Sequence, residues 1–274
     1  MVKIFKRGIK MLVSHESPIS MLELSKKYND YDYALVHLFD NYPQYFNFFK
    51  QSLKEGRIVY LDNSIFELGK SFNPERFAQY CYELDTINPD NFWYIVPDVL
   101  EDSLNTINNF KDFNYKIQGN SIGVAQGADL ESFLHCFEFM KENADMVAIS
   151  FDYSFYVTDS TKNKFVNCML GRQKLIKFLD ENNYLKDTKI HLLGCGLPQE
   201  FKAYKNIPEI ISLDTSNPVV HALKGIMYTK DGLLTKDTQK LIELLEAKPS
   251  VQQIEAVIKN TRMFKEINLL LDQF

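Results

Sequence analysis

Short apolar runs recur along the chain, and polar segments or segments with glycine and proline separate them. Most of these runs are apolar at every position, a pattern typical of parallel strands that are buried on both faces. The pattern predicts eight strands, at 9–13, 34–39, 58–61, 92–96, 121–125, 146–151, 189–193 and 210–213. Helical spacing of apolar residues between several of them predicts helices at 45–55, 74–84, 129–142 and 171–182.

Eight strands that alternate with helices indicate βα units, and eight is the number that closes a (β/α)8 TIM barrel. An open doubly wound sheet is the competing α/β architecture. We expect residues 1–234 to form a TIM-barrel catalytic domain and residues 235–274 to form a C-terminal helical extension packed on the barrel. Two amphipathic stripes, at 241–245 and 254–258, predict helices in this extension, with residues 248–250 (K-P-S) as a break and cap.

Composition is that of an ordinary globular protein. The 274 residues are 45% hydrophobic and 24% charged, which excludes a disordered chain, and the length fits a single α/β barrel. The formal net charge of −5 is unlike that of a generally basic nucleic-acid binder. A nucleic-acid substrate held by a local basic patch stays compatible with this charge, because the field at the site matters more than the sum.

The cysteines and the N-terminus bear on compartment. The four cysteines, at 81, 136, 168 and 195, form no C-x-x-C pair, so we expect reduced thiols in a cytoplasmic protein and no structural zinc site. Residues 1–18 start with basic residues, but charges interrupt their short apolar run, so we predict neither a signal peptide nor a membrane span. We also expect no membrane partner.

Three aspartates, Asp62, Asp98 and Asp214, directly follow predicted strands. A single aspartate at a strand end is usually a turn former or a helix cap. In a barrel, however, the carboxyl ends of the strands form one rim, which is where catalytic groups lie. Three carboxylates on that rim therefore predict a site, and their mutual repulsion should raise some of their pKa values and leave others low.

Histidines and a glycine pair give weaker signals. We interpret His37 and His191, inside predicted strands, as core residues, and His15, at a strand end, as a candidate ligand contact. No H-x-H or H-E-x-x-H spacing supports a metal site, so we predict no metal ligands. The segment 194–196 (G-C-G) could let a ligand or phosphate approach the backbone, or it could be a tight turn.

The order of these segments resembles that of the tRNA-guanine transglycosylase family. Asp62 opens D-N-S-I-F-E, which is similar to the family's D-S-G-G-F-Q, and Asp98 follows a proline at the place of the second family aspartate. Residues 123–127 (G-V-A-Q-G) resemble G-x-V-Q-G, and residues 191–196 (H-L-L-G-C-G) resemble Y-L-M-G-V-G. Asp214 stands in a strand similar to the one with the nucleophilic aspartate. The order and approximate spacing agree over about residues 10–225.

The chain also departs from the family pattern. The family's zinc ligands, three cysteines and a histidine, are missing, so we expect no cofactor. Ser64-Ile65 replaces the double glycine of the first motif, and residues 150–152 (S-F-D) replace a glycine-rich segment. These differences and the short chain resemble compact phage enzymes that place 7-deazaguanine bases into DNA. The resemblance therefore implies DNA rather than tRNA as the polymer and a host cytoplasm as the location.

The resemblance implies exchange of guanine for a 7-deazaguanine base in a nucleic acid, through a covalent intermediate on Asp214. Asp62 would be the general acid/base or a base contact. The remaining expected substrate-binding residues are Asp98, Gln126, Gly127, Ser150, Gly194 and Phe66. Tyr153 could stack on the base, and four basic residues after the sixth strand, Lys162, Lys164, Arg172 and Lys174, could contact phosphates. Family members often pair, so a homodimer is an open expectation.

Two alternatives from other functional classes remain. One is a barrel hydrolase or lyase for a small phosphorylated molecule, with phosphate at residues 194–196 and a metal at Asp62 or Asp98. The other is a catalytically degenerate barrel that binds a nucleobase or a partner protein. The second predicts base binding that survives loss of Asp214.

Overall fold

A computed structural model describes residues 11–151 and 153–269, and within them eight parallel strands form a nearly closed (β/α)8 barrel. The strands are β1 (Leu12–His15), β2 (Asp32–Leu35), β3 (Val59–Asp62), β4 (Phe92–Ile95), β5 (Asn120–Val124), β6 (Met146–Ser150), β7 (Ile190–Leu193) and β8 (Ile210–Thr215). Each pairs with its sequence neighbour from β2 to β8, and β8 pairs with β1. This confirms the predicted fold class over the open sheet.

Asp30 bridges the remaining gap, between β1 and β2. Its backbone N–H donates to Val13 O at 2.9 Å, and its carboxylate accepts the Val13 N–H at 3.0 Å. Inside the barrel, the Tyr31 hydroxyl donates to Leu213 O of β8 at 2.6 Å. The Asp30 bonds thus join the segment before β2 to β1, and the Tyr31 bond joins the same segment to β8. No regular ladder is needed for this closure.

Nine α-helices lie within the described residues, and the longer ones follow the strands. They are α1 (Leu22–Lys26), α2 (Pro43–Lys54), α3 (Ile65–Leu68), α4 (Pro74–Asp85), α5 (Ser103–Asp112), α6 (Leu130–Asn143), α7 (Lys164–Glu181), α8 (Asn217–Leu223) and α9 (Val251–Leu269). Polar caps start several of them, because a side-chain oxygen satisfies free N–H groups of the first turn. Asn73, Asp102, Asp129 and Asn163 cap α4, α5, α6 and α7 in this way.

The predicted elements differ from the structure at several boundaries. The strand predicted at 34–39 ends at Leu35, and a 3-10 helix, Val36–Leu38, follows it. Helix α5 was not predicted, and α7 begins seven residues before the predicted start at 171, because Asn163 caps it there. Residues 9 and 10 of the first predicted strand lie outside the described residues, as do Asp152 and residues 270–274.

The C-terminal extension is only partly helical. No helix occupies 235–240, a 3-10 helix spans Leu241–Leu244, and α9 starts after Ser250. The predicted break and cap at 248–250 is present: the Ser250 N–H donates to Gln253 Oε1 at 2.9 Å, and the Gln253 N–H donates to Ser250 Oγ. Helix α9 packs against α8 and the 3-10 helix Pro198–Tyr204. None of the helices in the described part of the chain has the length and apolarity to cross a membrane.

Candidate functional site

A cavity of 310 Å³ opens at the carboxyl ends of the strands. Its walls come from strand ends around the barrel and from a segment of the C-terminal extension. Seven of the eight predicted site residues line it: Asp62, Phe66, Asp98, Gln126, Ser150, Gly194 and Asp214. The three aspartates, which are far apart in sequence, therefore share one cavity.

Gly127 is the predicted site residue that does not line the cavity. A Cβ at this position would lie 2.3 Å from the backbone nitrogen of Phe133, so the glycine allows α6 to pack close to the end of β5. Tyr153, the expected stacking residue, is buried instead, and its hydroxyl donates to Ala125 O at 2.7 Å. Both residues support the wall of the cavity through packing and do not face the cavity itself.

Asp214 lies inside β8 and is 5% exposed. Its Oδ1 accepts the Gly194 N–H at 3.2 Å. The same oxygen lies 3.2 Å from Nε2 of the buried His191, at ion-pair distance although without the angle of a hydrogen bond. None of the described hydrogen bonds uses Oδ2. The carboxylate is thus held at one oxygen and has the other available for chemistry.

The turn after β7 depends on glycine for this contact. Gly194 has φ +67°, in the left-handed region that side chains rarely adopt. At Gly196, an added Cβ would lie 1.8 Å from the Phe151 ring, so the ring needs the glycine beside it. The two glycines therefore set the direction of the Gly194 N–H and the shape of the wall next to Asp214.

Arg172 supports this turn and is not available to phosphates. The side chain is fully buried, and its guanidinium donates to Leu193 O at 2.8 Å and to Gly194 O at 2.9 Å. It also forms an ion pair with Glu200, which is equally buried, at 2.7 Å between Nε and Oε1. The expectation that Arg172 contacts phosphates is therefore wrong. Lys162, Lys164 and Lys174 do lie on the surface.

Asp62, at the end of β3, accepts hydrogen bonds from the Tyr33 hydroxyl and from the Ser64 backbone N–H. Ser64 has φ +62°, a conformation uncommon for residues other than glycine, and it turns the chain into α3. Burial, and then the charge of Glu67, raises the pKa of Asp62 well above its usual range, although both hydrogen bonds oppose this. The raised pKa favours the protonated form of Asp62, which is the form that a general acid requires.

Asp98 is 2% exposed and sits between two side-chain amides. Asn63 Nδ2 donates to its Oδ1 at 2.8 Å, and Gln126 Nε2 donates to its Oδ2 at 2.6 Å. Burial raises the pKa of Asp98, and the two amides oppose that shift. The side-chain oxygen of Gln126, Oε1, also accepts the backbone N–H of Glu101 at 2.8 Å. Gln126 thus positions Asp98. From the sequence, Gln126 was expected to bind substrate, and this supporting role was not predicted.

Three further carboxyl side chains, those of Glu16, Glu67 and Asp237, line the cavity and were not predicted. Burial, and then the charge of Asp214, raises the pKa of Glu16 well above its usual range. Burial also raises the pKa of Glu67. The strand-end rule could have found Glu16, which follows β1 directly. Glu67 lies in α3, five residues after Asp62, where no strand signal pointed to it.

His15, the histidine predicted as a ligand contact, faces away from the cavity. The register pairs Ser14 with Asp214, so Ser14 faces the barrel interior and His15 faces the outer helices. Its Nδ1 lies 2.8 Å from Asn29 Oδ1, and its ring packs edge-on against Phe264 of α9. Burial lowers the pKa of His15 to about 4, so the ring is neutral at pH 7.

Residues 236–245, here named the strap, form part of the wall of the cavity. All of its residues except 243 and 244 contribute to the lining. Asp237 fastens the strap: its carboxylate pairs with Lys224 at 2.7 Å, and its N–H donates to His221 Nε2 at 3.1 Å. Lys240 Nζ lies 5.1 Å from the ring centre of Phe66, which is 59% exposed at the rim. The start of the predicted extension is thus part of the site.

The described residues contain no group of three histidine, cysteine, aspartate or glutamate side chains arranged to hold a metal ion. Cys81, Cys136, Cys168 and Cys195 are all buried. No protein-family model matches the chain, and no curated protein matches it either.

Proposed function

We propose that this chain is a guanine/7-deazaguanine transglycosylase, an enzyme that exchanges guanine in a nucleic acid, preferably DNA, for a 7-deazaguanine base. The observation that supports this most strongly is that Asp62, Asp98 and Asp214 line one cavity of 310 Å³ at the carboxyl end of the barrel. That volume is near the lower end for small-molecule sites and suits a single nucleobase with its sugar. Ser64 adds support, because its φ of +62° matches the glycine that stands there in the resembled motif.

Asp214 is the nucleophile in this proposal. Its Oδ2 attacks C1′ of the target nucleotide, the bond between C1′ and N9 breaks, and guanine leaves with the electron pair. The incoming base then attacks C1′ through N9, and the bond from C1′ to Asp214 breaks and restores the carboxylate. Two inversions retain the original anomer, as in retaining glycoside hydrolysis. The Gly194 N–H at Oδ1 orients the carboxylate for both steps.

Asp62 moves the proton. Its raised pKa allows it to hold a proton that the departing guanine needs. The carboxylate that results then accepts the proton released by N9 of the incoming base. Besides burial, Glu67 and then Asp214 keep that pKa high, because additional negative charge near Asp62 disfavours its ionised form.

Asp98 recognises the base. Guanine and 7-deazaguanine both present N1–H and an exocyclic amine, which the two oxygens of a carboxylate accept together. Asn63 and Gln126 each occupy one lone pair of these oxygens and hold the plane of the carboxylate. Ser150 and the Gly194 segment complete the wall around the ring.

The target nucleotide must leave the helical stack to reach this cavity. Phe66 at the rim offers a face on which a base can stack, and Lys240 next to it supplies positive charge for a phosphate. The buried thiols of Cys81, Cys136 and Cys195, which form no disulfide, fit an enzyme of the cytoplasm.

The alternative of a small phosphorylated substrate has less support. It needs the N–H groups of residues 194–196 for the phosphate, but the Gly194 N–H already bonds to Asp214. Six carboxyl side chains and only two lysines, Lys236 and Lys240, line the same cavity. This excess of acidic groups disfavours an anionic substrate.

Base exchange can be tested directly. The protein is incubated with guanine-containing DNA or tRNA and a labelled 7-deazaguanine base, and the digested polymer is analysed by mass spectrometry. We expect label in the polymer with the wild type and with the surface variant Asp112→Asn, and none with Asp214→Asn. No incorporation into any such polymer by the wild type would refute the proposed activity. Base binding that persists in a wild type without exchange would instead favour a degenerate binding barrel.

A further inference from the structure

His191 lies directly beneath the carboxylate that lines the cavity. It belongs to β7, is fully buried, and pairs in register with Ser212 of β8. Ser212 and Asp214 are two residues apart on the same strand, so both side chains face the barrel interior, where the imidazole is. The imidazole ring of His191 therefore lies between the side chains of Ser212 and Asp214.

Both ring nitrogens face a polar group of β8. Nδ1 lies 3.0 Å from Ser212 Oγ, and Nε2 lies 3.2 Å from Asp214 Oδ1. Nε2 forms no hydrogen bond within the described residues, and three tyrosine rings lie around the imidazole. The rings of Tyr31, Tyr33 and Tyr60 have their centres 6.4, 6.0 and 5.5 Å from it. A small rotation of the carboxylate would align it with Nε2.

The chemistry of the two partners determines where the proton must lie. An ionised carboxylate only accepts, whereas a serine hydroxyl can donate or accept. Ser212 can therefore donate to Nδ1 and leave Nε2 protonated toward Asp214. An Nε2 lone pair aimed at a carboxylate oxygen would be repelled, so the opposite tautomer is disfavoured.

We propose that His191 is a positioning residue that orients the Asp214 carboxylate through an Nε2–H directed at Oδ1. Together with the Gly194 N–H it occupies Oδ1, so that Oδ2 is presented to the cavity. The role in turnover rests on the proposed function, whereas the link between the imidazole and the carboxylate does not.

The link itself is tested without any activity. The protein is labelled with ¹⁵N-histidine, and the His191 signal is identified as the one lost in His191→Gln. We expect a protonated Nε2 in the wild type and a clear change of its resonance in Asp214→Asn. An unprotonated Nε2, or a resonance that ignores the loss of the Asp214 charge, would overturn the proposal.

The role in turnover is tested with two substitutions at His191. Glutamine can place an amide N–H near the position of Nε2, whereas leucine cannot donate. We expect His191→Leu to lower kcat for base exchange by about 100-fold, as for loss of one oriented donor, with KM for the incoming base changed less than about threefold. The kcat of His191→Gln should be at least about tenfold higher than that of His191→Leu. Equal loss in both variants, or none in a folded His191→Leu protein, would overturn the positioning role.

A buried histidine elsewhere provides the matched control. His15 is 2% exposed but contacts Asn29 and Phe264 and does not line the cavity. His15→Leu should change the unfolding temperature and leave kcat unchanged. If the wild type exchanges no base, the proposed function fails, and the NMR experiment still decides whether His191 holds Asp214.

Discussion

The side-chain amide of Gln126 donates a 2.6 Å hydrogen bond to Oδ2 of the buried Asp98. Gln126 comes from the end of β5 and Asp98 from the end of β4, so the bond joins two neighbouring strand ends. It leaves the carboxylate fixed before any ligand arrives. Such preorganisation reduces the cost of ordering the site when a base binds.

Removal of this donor should destabilise the fold. In Gln126→Leu, Asp98 loses one of its two amide partners in a buried place, and we expect a loss of about 1–3 kcal/mol in the free energy of unfolding. Urea unfolding measures it. Gln118→Leu replaces an exposed glutamine just before β5 and should change stability by less than about 0.5 kcal/mol. Equal losses in the two variants would show that the bond to Asp98 contributes nothing.

The contribution of Asp62 to stability should fall as the pH rises above the ordinary pKa of an aspartate. The pKa of Asp62 is raised in the folded state by burial and by Glu67. A carboxyl with a raised folded pKa contributes its full stabilisation below its unfolded pKa of about 4, and that contribution is lost as the pH rises through the folded pKa. Asp62→Asn cannot ionise, so we expect it to flatten this slope, to add about 0.5–2 kcal/mol at pH 8, and to abolish exchange.

Thermal unfolding of the wild type and of Asp62→Asn, followed from about pH 5 to about pH 9, checks this slope. Asp112→Asn, which removes an exposed carboxylate at the end of α5, should leave the slope as it is in the wild type. A steeper fall in Asp62→Asn than in the wild type would contradict the sign.

The buried ion pair behind the Gly194 turn should be sensitive to loss of one partner. Arg172→Met leaves Glu200 buried without its cation and removes donors from two carbonyls of the turn, so we expect a loss of about 3–5 kcal/mol. Lys174→Met, two residues further on the exposed side of α7, should cost less than about 0.5 kcal/mol. The difference between the two midpoints in guanidinium unfolding tests this. Similar midpoints would mean that Glu200 finds another partner.

Gly194→Ala should affect catalysis more than stability. The positive φ costs about 1–2 kcal/mol for a residue with a Cβ, and relaxation of the turn would move its N–H away from Asp214. We expect kcat for base exchange to fall by about 100-fold. Gly56→Ala has a similar φ of +77° with open space around it, so it isolates the backbone cost. If Gly194→Ala and Gly56→Ala had the same kcat, the Gly194 N–H would have no role in catalysis.

The sequence by itself determined the barrel and most of the rim. Continuous apolar runs such as 146–150 are typical of parallel strands that are buried on both faces, and eight such strands are the number that closes a barrel. The carboxyl ends of parallel strands meet on one side, so Asp62, Asp98 and Asp214 had to come near one another.

Tertiary structure alone decided which neighbours these aspartates have. His191 contacts Asp214 because the ladder between β7 and β8 shifts register at residues 190–191 and sets His191 opposite Ser212, and a strand's own sequence does not encode its register. Arg172 is buried because Glu200, on another element, neutralises it. The strap has no apolar period over 236–240, so in this part the bonds from Asp237 to Lys224 and His221, rather than a helix, hold it against the cavity.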